Sequence, residues 1–189
     1  MKRRDLLTGM GALMATGLFA TRDAAAQAAR PGFEPVQVRI RPGMAANEIH
    51  VLPDSFMLYW TRGDDTAIRY MVGVGRPGLY EPGEFYVGAK KEWPSWTPTQ
   101  SMIDREPDHY AQYADGMPGG PENPLGARAL YLFQPGPGDT FLRIHGTNAP
   151  GTIGTAVSNG CARLINPEII DLYNRVPIDS RVVLHPKFA

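Results

Sequence analysis

Short apolar–polar alternations recur along most of the chain and predict strands. VQVRIR (residues 36–41) has the period-2 pattern of a half-buried strand, and EIHVL, FMLYW, IRYMVGVG and EFYVGAK follow at short intervals. ALYLF, TFLRIHG and RVVLHP repeat the pattern further on. The 21 glycines and 18 prolines are spread throughout, as turns between many short strands require. The pattern predicts a mostly β domain, a sandwich of two sheets or a closed barrel. One helix stands out: Asn166 as cap, Pro167 in the first turn, then Ile169, Leu172, Tyr173 and Val176 on one face. It is expected to pack on a sheet.

Two segments depart from this pattern. Residues 1–28 have a basic start (Lys2, Arg3, Arg4), an apolar run from Leu6 to Ala20, and small residues at Ala24, Ala26 and Ala28. That is the make-up of a cleaved export signal, and the run is too short and glycine-interrupted for a comfortable membrane span. Arg3 and Arg4, followed by Asp5, Leu6 and Leu7, resemble a twin-arginine signal. Residues 29–44 read as a lead-in and 45–189 as one domain. The second segment, residues 92–126, is too rich in Pro, Gly and charge for core strand. A connection of that length is expected to be a lid or binding loop, with Trp93, Trp96, Tyr110 and Tyr113 either lining a cleft or folding down as a satellite cluster.

Charge narrows the possible functions. The whole chain is neutral, and without the export segment it has 15 basic and 17 acidic residues, a net charge of −2. Nothing in this balance suggests a nucleic-acid surface. The single cysteine of an exported chain forms no internal disulfide, so Cys161 is an inert core residue, half of an intermolecular bridge, or a reactive thiol.

HGTNAPGTIGTAVSNGCAR (residues 145–163) holds this thiol, and its residues alone leave a reactive thiol and a buried structural cysteine beside an unrelated histidine equally open. His145 ends a predicted strand, and Cys161 follows Gly160 in a small-residue turn that can bring both side chains to one sheet edge. A histidine within hydrogen-bond reach turns a thiol into a useful nucleophile. The N–H groups of Gly160 and Cys161 are candidate oxyanion donors, because glycine lets a substrate carbonyl approach the backbone. His50, His109 and His185 read as ordinary surface or core residues. No CxxC or HxxxH spacing completes a zinc site.

The same stretch resembles the signature of the L,D-transpeptidase family, of the YkuD or ErfK type: a histidine in an HGT-like stretch, then Ser-x-Gly-Cys-x-Arg. MLYWTRGDDTAIRYMVGVGRPG resembles the family's N-terminal hairpin, and MPGGPENPLGARALYLF the segment leading to its histidine. The resemblance covers most of residues 45–185. It implies an exported enzyme of the periplasm, without metal or organic cofactor, acting on peptidoglycan stem peptides. Cys161 would be the nucleophile that forms a thioester, His145 the base, and a backbone carbonyl near Gly146 the group that orients it. Arg163 would hold a substrate carboxylate or brace the loop, with Ser158 and Asn159 beside the substrate. Asn159 stands where many members have histidine, and cannot carry a proton. EPGEFYV (residues 81–87) replaces the family's usual Thr-Pro-x-Gly-x-Phe. No LysM-like wall-binding module is legible, so wall recognition is expected from the catalytic domain or a partner. An outer-membrane lipoprotein is one implied acceptor, beside another stem, a free D-amino acid, or water in a carboxypeptidase. An inert wall-binding domain is the reading from a different class.

Overall fold

The computed structural model describes residues 32–188; the expected export signal and the start of the lead-in lie outside the described residues. The strands are β1 (Val36–Arg39), β2 (Ile49–Leu52), β3 (Met57–Thr61), β4 (Thr66–Met71), β5 (Val74–Gly75), β6 (Gly83–Glu92), β7 (Arg128–Gln134), β8 (Gly138–His145), β9 (Ala156–Ser158), β10 (Ala162–Arg163) and β11 (Arg181–Leu184). The helices are α1 (Gln100–Arg105), α2 (Pro107–Tyr110) and α3 (Asn166–Arg175). Nine strands form one sheet in the order β1-β4-β3-β2-β11-β6-β7-β8-β10, and β5 pairs with β9 in a second, two-stranded sheet. The mostly β expectation holds.

Central strands are buried more fully than alternation predicts. Ile49, His50 and Val51 of β2 are all buried, because β2 lies between β3 and β11 well inside the sheet. β11 shows the clean alternation, with Val182 and Leu184 in the core. β1 is the opposite case: it pairs only with β4 at the sheet edge, and three of its four residues are exposed. The period-2 pattern there marks a strand without a core behind it.

IRYMVGVG reads as one strand but contributes to two. β4 ends at Met71, Gly73 bridges to Arg163, and β5 continues in the second sheet beside β9. That switch carries the chain from the hairpins to the neighbourhood of Cys161. The helix lies where its periodicity places it, with Ile169 and Leu172 buried in the core against β7. Lys90 of β6 donates to the Tyr173 and Val176 carbonyls at 2.5 and 2.7 Å and so satisfies the end of α3. Asn166 is not its cap. Ile165 holds that position, and the Asn166 side chain is used elsewhere.

Candidate active site

β8 and β10 bring the histidine and the cysteine together. β10 pairs in parallel with β8, setting Ala162 opposite Ile144 and Arg163 opposite His145, and the Leu164 N–H donates to the His145 carbonyl at 2.9 Å. By the same register Cys161, in the turn that leads into β10, falls beside Arg143, two residues before His145 on β8. The His145 and Cys161 side chains line one cleft of about 1080 Å³.

A bulge in β8 supports the nucleophile turn. Between Tyr131 and Phe133 the β7–β8 register shifts, Thr140 Oγ1 donates to the Leu132 carbonyl at 2.7 Å, and Phe141 adopts φ +62°. Phe141 turns outward and Leu142 inward, under Gly160. Gly160 has φ +123°, and a Cβ there would sit 3.0 Å from the Leu79 carbonyl oxygen and 3.1 Å from Leu142 Cδ2. Conformation and space both demand glycine.

His145 is held through its backbone neighbour. Its Nδ1 lies 2.6 Å from the Gly146 carbonyl oxygen, which makes Nδ1–H the donor and leaves Nε2 unprotonated in the neutral ring. The carbonyl is itself fixed by packing: a Cβ on Gly146 would lie 2.3 Å from Asn166 Oδ1 and 3.1 Å from Ile169 Cγ2. Asn166 Oδ1 accepts from the Ala127 N–H at 3.0 Å and the Thr147 N–H at 3.3 Å. The side chain read as a helix cap thus clamps the loops on both sides of the histidine.

Electrostatics favour neutral partners at rest. Burial pushes the His145 pKa down to about 3, the Arg163 charge adds to this, and the Gly146 carbonyl opposes it. Burial also pushes the Cys161 thiol up, against the pull of the Arg143 N–H and the Arg143 and Arg163 charges. Burial therefore disfavours the charged form of both groups.

The other expected residues divide by role. Ser158 Oγ donates to the Cys161 carbonyl at 2.6 Å and accepts from the Gly160 N–H at 3.3 Å, so both groups are spent inside the turn. Arg163 lines the cleft; among the described residues it donates only a long bond of 3.4 Å to the Thr152 carbonyl, and its buried Nε has no acceptor. Asn159 accepts from Arg76 and Arg105 and donates to the Tyr110 hydroxyl. Arg76 and Arg105 carry no local motif in the sequence, and Asn166, expected as a helix cap, serves the loops beside His145 instead.

Residues 92–126 wrap this site. Trp96 bridges to Met117, and its ring meets Tyr110 and Tyr113 edge-on at 6.2 and 5.8 Å. These three aromatics line the cleft, whereas Trp93 is not part of its lining and is 44% exposed. His109, read as an unremarkable loop residue, also lines the cleft, while His50 and His185 form a distant pair at 3.1 Å. Among the described residues no group of three His, Cys, Asp or Glu is placed to hold a metal ion, and no helix is long and apolar enough to cross a membrane.

On this β scaffold a buried histidine oriented by a carbonyl shares one cleft with a cysteine that follows a left-handed glycine. The chain belongs to the L,D-transpeptidase catalytic domain family YkuD, whose model matches residues 46–184. It is 38% identical over 135 residues to the probable L,D-transpeptidase YbiS of Escherichia coli (strain K12), covering 67% of this chain but only 40% of that protein. Among solved structures, one from Brucella melitensis, described as a probable carnitine operon oxidoreductase caia, is 47% identical, covers 82% of this chain and 94% of its own, and has a TM-score of 0.56. An Enterococcus faecium L,D-transpeptidase, a C442S mutant, shares the fold at 16% identity and a TM-score of 0.55, covering 75% of this chain and 50% of its own.

Proposed function

We propose that the protein is an exported cysteine L,D-transpeptidase of the periplasm that acts on peptidoglycan stem peptides. The observation that carries this reading is the pairing of His145, oriented by the Gly146 carbonyl at 2.6 Å, with Cys161 in one cleft. Cys161 Sγ attacks the carbonyl carbon of an L-centre to D-centre amide while His145 Nε2 takes the thiol proton. The Cys161 N–H stabilises the oxyanion, since the Gly160 N–H is already directed at Ser158. The tetrahedral adduct collapses, His145 returns the proton to the departing amine of the D-residue, and a thioester remains. An acceptor amine then attacks the thioester, His145 removes its proton, and the new amide leaves as Cys161 regains its hydrogen.

Neutral resting partners suit this sequence. An imidazole whose protonated form is disfavoured by burial takes a proton readily only as charge develops on the carbonyl oxygen, so proton transfer is tied to bond formation. Arg163, short of acceptors at the cleft wall, is matched to a substrate carboxylate. Gly160 and Ser158 shape the turn, and Asn159 borders the substrate.

Incubating the mature protein with a tetrapeptide stem, with and without a second stem as acceptor, tests the reading. A cross-linked product that forms only with Cys161 and His145 intact supports it. Release of the terminal D-amino acid without any amide product, even at high acceptor concentration, assigns hydrolysis instead. A lipoprotein with an acceptor lysine is the second acceptor to offer.

A further inference from the structure

Two guanidinium groups converge on one neutral oxygen beside the nucleophile. Arg76 Nη2 and Arg105 Nη2 donate to Asn159 Oδ1 at 3.2 and 3.1 Å, while Asn159 Nδ2 donates to the Tyr110 hydroxyl at 2.8 Å. Arg76 directly follows β5, Arg105 ends α1 and Tyr110 ends α2, so three separate elements meet at a residue two positions before Cys161. Two of them belong to the segment that wraps the cleft.

The charges at this junction do not balance. Arg76 is ion-paired with Glu106, whose carboxyl is held below the usual range first by the Arg76 hydrogen bond, with smaller pulls from the His109 and Arg105 charges. Among the described residues Arg105 has no carboxylate within ion-pair distance; it feels the Glu106 charge from further off, and Glu81 and Glu122 line the same cleft without pairing to it. Its partner near the site is a neutral amide oxygen shared with a second cation. A guanidinium binds a carboxylate more strongly and through two parallel bonds, so this pair of donors is under-used by its present acceptor.

We propose that Arg105 and Asn159, backed by Arg76, form a carboxylate-binding subsite that takes a carboxylate of the peptide donor and draws residues 92–126 onto it. The inference rests on the acyl-transfer reading above and adds a recognition element carried by the wrapping segment. An entering carboxylate replaces Asn159 Oδ1 as the acceptor for Arg105, and Asn159 Nδ2 keeps its bond to Tyr110. Arg163, two positions after Cys161, is another guanidinium on the lining of the same cleft. A stem peptide with diaminopimelate in its third position offers two carboxylates, the terminal one and the one on the third side chain.

The test measures binding by calorimetry in the Cys161→Ala background, so that no turnover interferes. Three tetrapeptide donors are compared: the free acid, the C-terminal carboxamide, and the third-residue carboxamide. Adding Arg105→Ala is expected to weaken binding of the free acid by roughly tenfold or more, the usual effect of losing a charge-assisted contact. The same change should leave one of the two carboxamides unaffected, which identifies the carboxylate that is read. Asn159→Asp places a carboxylate of the protein's own on the guanidinium groups without loosening the segment. It should weaken the free acid and spare that same carboxamide. Losses equal across all three donors, or no loss on the free acid, overturn the subsite, since mere loosening is blind to donor charge. Turnover by the Cys161 enzyme separates the two levels. The charge-selective binding pattern without turnover rejects the enzymatic reading and keeps the subsite; turnover without the pattern does the reverse, and absence of binding by every donor rejects both.

Discussion

Replacing Asn166 by alanine removes the amide oxygen that ties together two loops beside His145. Asn166 Oδ1 accepts from the Ala127 N–H at 3.0 Å and from the Thr147 N–H at 3.3 Å, and both residues are only 1% exposed. Water does not reach such donors freely, and an unsatisfied buried N–H costs about 1–3 kcal/mol. The shorter bond at Ala127 carries the fuller cost and the longer bond at Thr147 a smaller one, so the sum is about 2–4 kcal/mol. For a domain of this size that lowers the Tm by about 5–15 °C. Urea unfolding followed by tryptophan fluorescence measures the free energy directly. Asn166→Asp keeps the acceptor and should recover most of the loss. Because the restrained backbone flanks Gly146, kcat should fall as well, measured below the melting range of the variant. A change below about 0.5 kcal/mol in Asn166→Ala, within the usual range for an ordinary surface position, would refute the reasoning that this oxygen is a structural acceptor.

Three further expectations follow from the same contacts. Burial lowers the pKa of His145 from its ordinary 6.5 to about 3 in the folded state, so the unfolded chain holds the proton more tightly. Its contribution to stability is complete above pH 6.5 and is lost as the pH falls toward 3, at up to ~1.4 kcal/mol per unit; denaturation across this window should show an acid slope that His145→Gln flattens. Glu168 has the opposite sign: burial without a hydrogen-bond partner raises its carboxyl to about 8, so its contribution is complete below pH 4.5 and is lost as the pH rises toward 8. Glu168→Gln should therefore raise the Tm relative to the parent at pH 8 more than at pH 4.5, and equal shifts at both pH values would exclude this origin. Lys90→Met strips two C-terminal carbonyls of α3 of their donor and should cost about 1–3 kcal/mol in chemical denaturation, with an unchanged stability showing that water replaces the ammonium fully.

Legibility in the sequence followed the range of the interactions. Hairpin strands such as β3 and β4, and the helix face of Ile169 and Leu172, are encoded by local periodicity, and they lie where that periodicity puts them. β9 and β10 were not legible. Each has two or three residues and forms only by pairing with β5 and β8, far away in the chain. The same applies to the break between β4 and β5, which a continuous apolar pattern conceals. In the cleft, His145, Gly160 and Cys161 share one motif and were read together. Arg76 and Arg105 reach Asn159 across 83 and 54 positions, so no local pattern marks them. Asn166 shows the limit of a correct local rule: its type and place suit a helix cap, yet two buried N–H groups of other loops compete for the same oxygen and win.

The central claim is that Cys161 is an acyl-accepting nucleophile that depends on His145. Intact-mass spectrometry after brief exposure to a carbapenem tests it most directly, because opening the β-lactam leaves the whole drug on the thiol. A gain of one drug mass is expected on the wild-type protein, none on Cys161→Ala, and a slow gain on His145→Ala. A folded wild-type protein that gains no mass, or a Cys161→Ala variant that gains as much, would contradict that claim.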